Sequence, residues 1–277
     1  MSFQPVIPTT GLAGFAFLQR TMDSQQESFA QSPVLQREMQ HFRENIGAVR
    51  SVDDLVGDRR MLAVALGAFG LDDDINSTFF IRKVLQDGTL DPDALGNRLS
   101  DKRYLELSRA FGFGDFDTPR SADSAFADRI TAAFQERRFE AAVGAQDETM
   151  RLALTLQREL PELASRDLRE RTLWFEVLGK PDLREAVQTA LGLPRSFAAL
   201  DLDVQVDRLQ RRVRGAFGDG SIKQFADPDQ VDALTQRFVA RAQLDSGPSM
   251  TTPGMAALQL LQSGPHGPAL GTFGPLR

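Results

Sequence analysis

Asp72, Asp74 and Asn76 stand at the first, third and fifth positions of a calcium-binding loop, where short side-chain oxygens would converge on a hard cation. The pattern then fails. Position six is Ser77 where the sharp turn needs glycine, and position twelve is Lys83 where a bidentate glutamate belongs. The segment 87–93 fails likewise, with Pro92 at the glycine position and Arg98 at the end. Helix capping and solvation are the expected roles of both acidic clusters, and no metal site is expected.

Other chemistry is equally short of raw material. The chain has two histidines, His41 and His266, and no cysteine, which removes disulfides, thiolate ligands, thiol nucleophiles and most of a Ser-His-Asp machinery. His41 stands alone on its helix and reads as a surface or boundary histidine. Gly112-Phe113-Gly114 lacks the third glycine and the preceding strand of a phosphate-binding loop. Arg208, Arg211, Arg212 and Arg214 form the densest basic run, and three of them share one helical face. With Asp203 and Asp207 a turn away, that run reads as a solvated or salt-bridged face. Carboxylates brought together from distant helices are the one catalytic resource that sequence does not expose. No catalytic residue and no cofactor is therefore expected.

The elements that would position these residues are helices. Ser32-Pro33, Asp91-Pro92 and Asp227-Pro228 each offer a side-chain acceptor at N-cap and a proline at the first helical position, where the missing N–H costs nothing. Leu35, Met39, Phe42 and Ile46 then fall on one face until Gly47. Helical patterns are predicted over 12–29, 52–69, 77–86, 92–99, 102–111 and 122–143, and again over 149–160, 168–178, 181–191, 204–217 and 228–244. Breaks are expected at 112–121 and at 161–166. No run alternates with the period of a strand. A motif recurs at helix ends: Ala68-Phe69-Gly70-Leu71, Ala110-Phe111-Gly112-Phe113, Ala190-Leu191-Gly192-Leu193 and, less completely, Ala216-Phe217-Gly218-Asp219. Each glycine suits a left-handed stop.

The expected fold is all-α and multihelical, with two helical halves that are candidates for a diverged duplication. Residues 1–114 form the N-terminal half, 122–245 the C-terminal half, and 246–277 a flexible Gly/Pro-rich tail. The glycine spacings, 42 residues in the first half and 26 in the second, are unequal. Twenty phenylalanines against one tryptophan and one tyrosine suggest a phenylalanine-rich core. The net charge of -6 and pI near 5.1 argue against nucleic acid as a partner. The longest uncharged apolar stretch, 61–71, falls well short of the roughly 18 residues of a membrane span, and the opening residues lack the layout of a secretory signal peptide. A soluble protein without membrane insertion is expected.

The stretch from Asp58 to Asp74, continuing through Phe79-Phe80-Ile81-Arg82-Lys83-Val84-Leu85, resembles an uncharacterised family of alphaproteobacterial multihelical proteins, as does the opening 1–20 with Pro8-Thr9-Thr10-Gly11-Leu12-Ala13-Gly14. Members of that family have a domain of unknown function and are often encoded among flagellar genes. The resemblance implies a non-enzymatic helical interaction protein associated with the bacterial flagellum, as a minor structural component or assembly factor. Cytoplasmic chaperones or regulators of flagellar export, and an enzyme with an unrecognised carboxylate and arginine site, are the alternatives. Its partners would be proteins, among them flagellar components. Its location would be the cytoplasm or, by export without a cleavable signal, the flagellar basal body. Apolar residues near the chain ends are the expected partner contacts: Leu12, Phe15 and Phe29 near the start, and Met255, Leu258 and Leu261 in a short apolar segment of the tail. Oligomeric state is left open.

Overall fold

The computed structural model describes residues 3–245 of the chain. Thirteen α-helices and five short 3₁₀ helices account for the elements of this region, and no strand occurs among the described residues. In chain order the helices are α1 (Gly11–Ala30), α2 (Pro33–Asn45), α3 (Val52–Gly57), α4 (Arg59–Gly67), α5 (Thr78–Asp87), α6 (Leu95–Arg98), α7 (Arg103–Phe111), α8 (Phe126–Gly144), α9 (Glu148–Ala164), α10 (Glu170–Leu178), α11 (Pro181–Ala190), α12 (Leu202–Phe217) and α13 (Pro228–Asp245).

Local signals explain most boundaries. Pro33 and Pro228 open α2 and α13, and the Asp227 carboxylate accepts the Asp229 N–H at 3.0 Å. The Ser32 hydroxyl makes no such cap. Three expectations give way. The pattern over 52–69 is two helices, because Asp58 turns to an extended backbone and its carboxylate accepts the N–H groups of Arg60 and Met61 at 2.9 and 3.0 Å, starting α4 afresh. Asp91-Pro92 opens a turn, because the Asp91 carboxylate takes the Asp93 N–H and Asp87 takes that of Leu95, leaving only α6 helical. The break expected at 161–166 lies later: α9 runs through Pro161 to Ala164, since Leu160 and Leu163 are fully buried and core packing outweighs the one backbone bond that proline forfeits.

Two apolar cores hold the helices. The first gathers Leu35, Phe42, Leu55, Leu62, Leu66, Ile81 and Phe111 from α2 to α7 with Phe126 and Phe134 of α8. The second gathers α9 to α13 around Trp174 and Phe238, and it includes Phe139 and Val143 of α8. α8 is thus shared, its first half in one core and its second half in the other. α1 also belongs to the second core through Phe15 and Leu18, although it begins the chain. In the first core α2, α4 and α8 pack on one another; in the second, α9, α11 and α13 do the same.

One stretch of each half also corresponds in sequence. With a constant separation of 122 residues, 52–71 matches 174–193: Leu55 with Val177, Gly57 with Gly179, Met61 with Leu183, Val64 with Ala186, Ala68 with Ala190 and Gly70 with Gly192. The ends of α4 and α11 close identically. Gly70 and Gly192 have φ of 67° and 62°, and the N–H of Leu71 and of Leu193 bonds back to the carbonyl of Leu66 and of Gln188, each at 3.0 Å. This six-to-one bond is a Schellman closure, and it needs a residue without Cβ strain at the left-handed position. Gly112 and Gly218 are left-handed as well and stop α7 and α12 with one bond each, to Ser108 and Arg214.

Candidate functional site

The partner-contact residues expected from sequence fall in different environments. Leu12 is 43% exposed on α1 and remains a surface residue. Phe15 is 2% exposed and is a core residue, because α1 lays that face on the second core. Phe29 is half-buried at the seam, packed against both cores and edge-on to Phe139 with ring centroids 5.6 Å apart. Met255, Leu258 and Leu261 lie outside the described residues. No helix among the described residues is long and apolar enough to cross a membrane.

The residues weighed for chemistry are dispersed. His41 Nε2 lies 2.7 Å from Asp58 Oδ2, a clasp between α2 and the start of α4. Asp72–Asn76 forms a 3₁₀ turn whose oxygens face different partners: Asp74 accepts from the Tyr104 hydroxyl at 2.6 Å, Asn76 from Arg59 at 2.9 Å. Among the described residues no group of three or more His, Asp or Glu is placed to hold a metal ion. Asp203 and Asp207 do not pair with the arginines of their own helix. Both accept from Arg171 of α10, at 2.7 and 3.1 Å.

What the fold does bring together is a set of charges that sequence alone does not single out. Glu159 of α9 is 3% exposed and meets three cations: Arg137 of α8 at 2.8 Å, Arg158 at 3.2 Å, and Lys180, at the start of α11, at 3.2 Å. Lys180 is 5% exposed and reaches Glu106 of α7 at 2.8 Å. Arg158 holds Glu140 of α8 by two bonds, of 2.7 and 3.0 Å. Arg166 faces Glu106 and Glu176 at 3.6 Å and bonds Glu162 at 2.7 Å. The backbone agrees: the Lys102 N–H donates to the Gly179 carbonyl at 2.8 Å, and a Cβ at Gly179 would strike the Lys102 side chain. Glu106 and Lys102 belong to the first half, Lys180 and Glu159 to the second. The network is therefore the joint between them.

Burial by itself would raise the Glu159 carboxyl, but Lys180, Arg137 and Arg158 overcome it and lower the group to about 2. Burial works against Arg158 too, and Glu140, Glu159 and Glu136 more than reverse it. Over this joint opens a cleft of about 390 Å³, with Arg109, Arg120 and Glu136 at its rim and Lys180 on its floor. Burial holds Glu136 above the ordinary carboxylate range despite the opposing Arg158. One sequence signal does point here. Leu152, Leu156, Leu160 and Leu163 form the apolar stripe of α9, and Glu159 interrupts it as a charge on a buried face.

A family model described as a protein of unknown function (DUF1217) matches residues 68–231. Among solved structures, the crystal structure of protein AGR_C_984 from Agrobacterium tumefaciens is similar, with 26% sequence identity and a TM-score of 0.71 over 87% of this chain and 99% of that one. A comparison with curated proteins finds no match.

Proposed function

We propose, for a chain that belongs to the DUF1217 family of proteins of unknown function, a non-enzymatic role as a helical interaction protein of the bacterial flagellum, as a minor structural component or assembly factor. One observation carries the interaction reading. α1 and α13 pack side by side with Gly11 against Gln243, so the start of the first helix and the end of the last share one end of the molecule. Leu12, 43% exposed, and Leu244, 79% exposed, lie next to those two contact residues. Leu12, one of the residues that sequence marks for partner contact, thus stands exposed at the end of the molecule where α13 finishes. The joint supports the same reading, because its buried carboxylates are engaged in holding the two halves as one body. The flagellar part of the proposal rests on the sequence resemblance.

The test is affinity capture of an internally tagged protein from motile cells, read by mass spectrometry, with parallel fractionation of cytoplasm and purified hook and basal bodies. Recovery with basal-body components supports the proposal, and recovery from cytoplasm with an unexported flagellar subunit favours the chaperone form of it. If Leu12→Glu together with removal of 246–277 leaves partner recovery unchanged, the contact assignment fails.

A second reading, an enzyme, has the joint cleft in its favour, where Glu136 combines a raised pKa with neighbouring arginines. Capture of soluble metabolic proteins alone, together with a ligand-induced thermal shift that Glu136→Gln removes, would put that reading first.

A further inference from the structure

The ion pairs of the joint leave two arginines and one carboxylate unmatched at its cleft. Six of the residues that line the cleft are basic and three are acidic. Glu106 takes Lys180 at 2.8 Å and Glu162 takes Arg166 at 2.7 Å, while Glu140 and Glu159, behind the wall, take Arg158 at 2.7 Å and Arg137 at 2.8 Å. Four of the six cations are thus neutralised. Arg109, one turn beyond Glu106 on α7, and Arg120, in the 3₁₀ turn Arg120–Ala122, form no ion pair among the described residues. The unmatched carboxylate is Glu136, whose nearest cation is Arg158 at 3.9 Å. Burial already holds that carboxyl above its ordinary range and inclines it toward the neutral form.

The cations come from separate elements and keep donors free. The Arg120 guanidinium lies over the Phe116 ring, 5.1 Å from its centroid, a stack that uses its face and leaves its N–H edges open. Arg158 of α9 spends Nε and Nη2 on Glu140 and Glu159, and its Nη1 has no hydrogen-bond partner among the described residues. Ala68, Phe69, Ala110 and Ala133 supply apolar wall between them, which lowers the local dielectric and strengthens the attraction for an opposite charge. A volume of about 390 Å³ at the boundary of two packed units falls within the range of small-molecule sites.

We infer that the joint cleft binds a small phosphate-bearing molecule whose phosphate oxygens accept from Arg109, Arg120 and Arg158. A carboxylate offers its oxygens in one plane and suits a single guanidinium fork. A phosphate offers oxygens in several directions, and guanidinium groups arriving from α7, the 3₁₀ turn and α9 fit that shape. Bound there, it ties Arg109 of the first half to Arg158 of the second. The inference goes beyond the proposed function and depends on neither its flagellar nor its enzymatic reading, since binding needs neither a protein partner nor turnover.

Isothermal titration calorimetry of the full chain with inorganic pyrophosphate tests it, at about 150 mM salt so that diffuse attraction is screened. The expected result is saturable binding at a single site. Arg109→Gln with Arg120→Gln should weaken it at least about tenfold, because two charge-assisted hydrogen bonds are lost. Arg211→Gln with Arg212→Gln, which removes two equally unpaired arginines from α12, should leave it unchanged. Glu136→Gln should strengthen it, since the unmatched carboxylate of the lining is gone. Circular dichroism on the variants confirms that they remain folded. The inference is overturned by a chain that binds no pyrophosphate, by affinity that survives the Arg109 and Arg120 changes, or by an equal loss from the α12 pair. It is equally overturned by a Glu136→Gln chain that binds less, or by citrate binding as tightly as pyrophosphate, which would make the site one for carboxylates.

Discussion

The start of α4 and the start of α11 stand 122 residues apart in matching stretches of sequence, and the two stretches put different charges there. In the first half the position is Asp58, which caps its own helix and touches His41 at 2.7 Å with both side chains partly in water. In the second it is Lys180, which cannot accept an N–H. Pro181 follows directly, so the first helical residue has no N–H to satisfy. Lys180 is thereby free to turn inward, where it joins Glu159 and Glu106 with almost no exposure. One backbone device thus closes a local corner in one half and fastens the halves together in the other. The backbone is alike at the two positions; the side chain and its burial decide what each position does.

Lys180→Met sharpens this contrast most. It leaves Glu159 and Glu106 facing each other without their shared cation, and breaking a buried pair costs about 3–5 kcal/mol. Urea unfolding should show that loss, and Lys180→Arg, which keeps a cation between Glu159 and Glu106, should lose less. A cost below about 1 kcal/mol would reduce Lys180 to the rank of a surface charge.

Acid should weaken the joint. Glu159 lies well below its ordinary value of 4.5 in the folded chain, at about 2. A depressed carboxyl contributes stability that is fully present above its unfolded value and lost as pH falls through its folded value, so the window runs from 4.5 down to about 2. Thermal unfolding followed across that window should fall more steeply for wild type than for Glu159→Gln; parallel curves would mean that the carboxylate does not carry the acid sensitivity.

The closures shared by both halves should respond alike. Gly70→Ala and Gly192→Ala each force a side chain into the left-handed region, at about 1–2 kcal/mol, and their midpoints in urea should drop by similar amounts. A Cβ at Gly192 would also press on the Arg241 guanidinium, so any excess loss there over Gly70→Ala measures that contact. Smallest is Asp58→Ala, which removes two cap bonds and the His41 contact for about 1 kcal/mol. Asp58→Asn should retain most of that in the same experiment, because an amide oxygen still caps.

The sequence by itself determined the helical class, nearly all the helices, and the glycine stops at Gly70, Gly112, Gly192 and Gly218. Those depend on interactions within a turn or two of chain, where residue type and spacing already contain the physics. It misjudged Asp91-Pro92 and Pro161 for a related reason. In the first a competing local bond won, and in the second the buried leucines of α9 did. Only the tertiary structure decided that α1 joins the second core, that Phe15 is interior, and that α8 serves both cores. It also decided that Arg171, from another helix, removes Asp203 and Asp207 from the α12 arginines, and that Glu159 and Lys180 meet. A charge becomes a clamp or a solvated side chain according to what surrounds it in space, and partners 21 residues apart or on another helix leave no mark in the spacing.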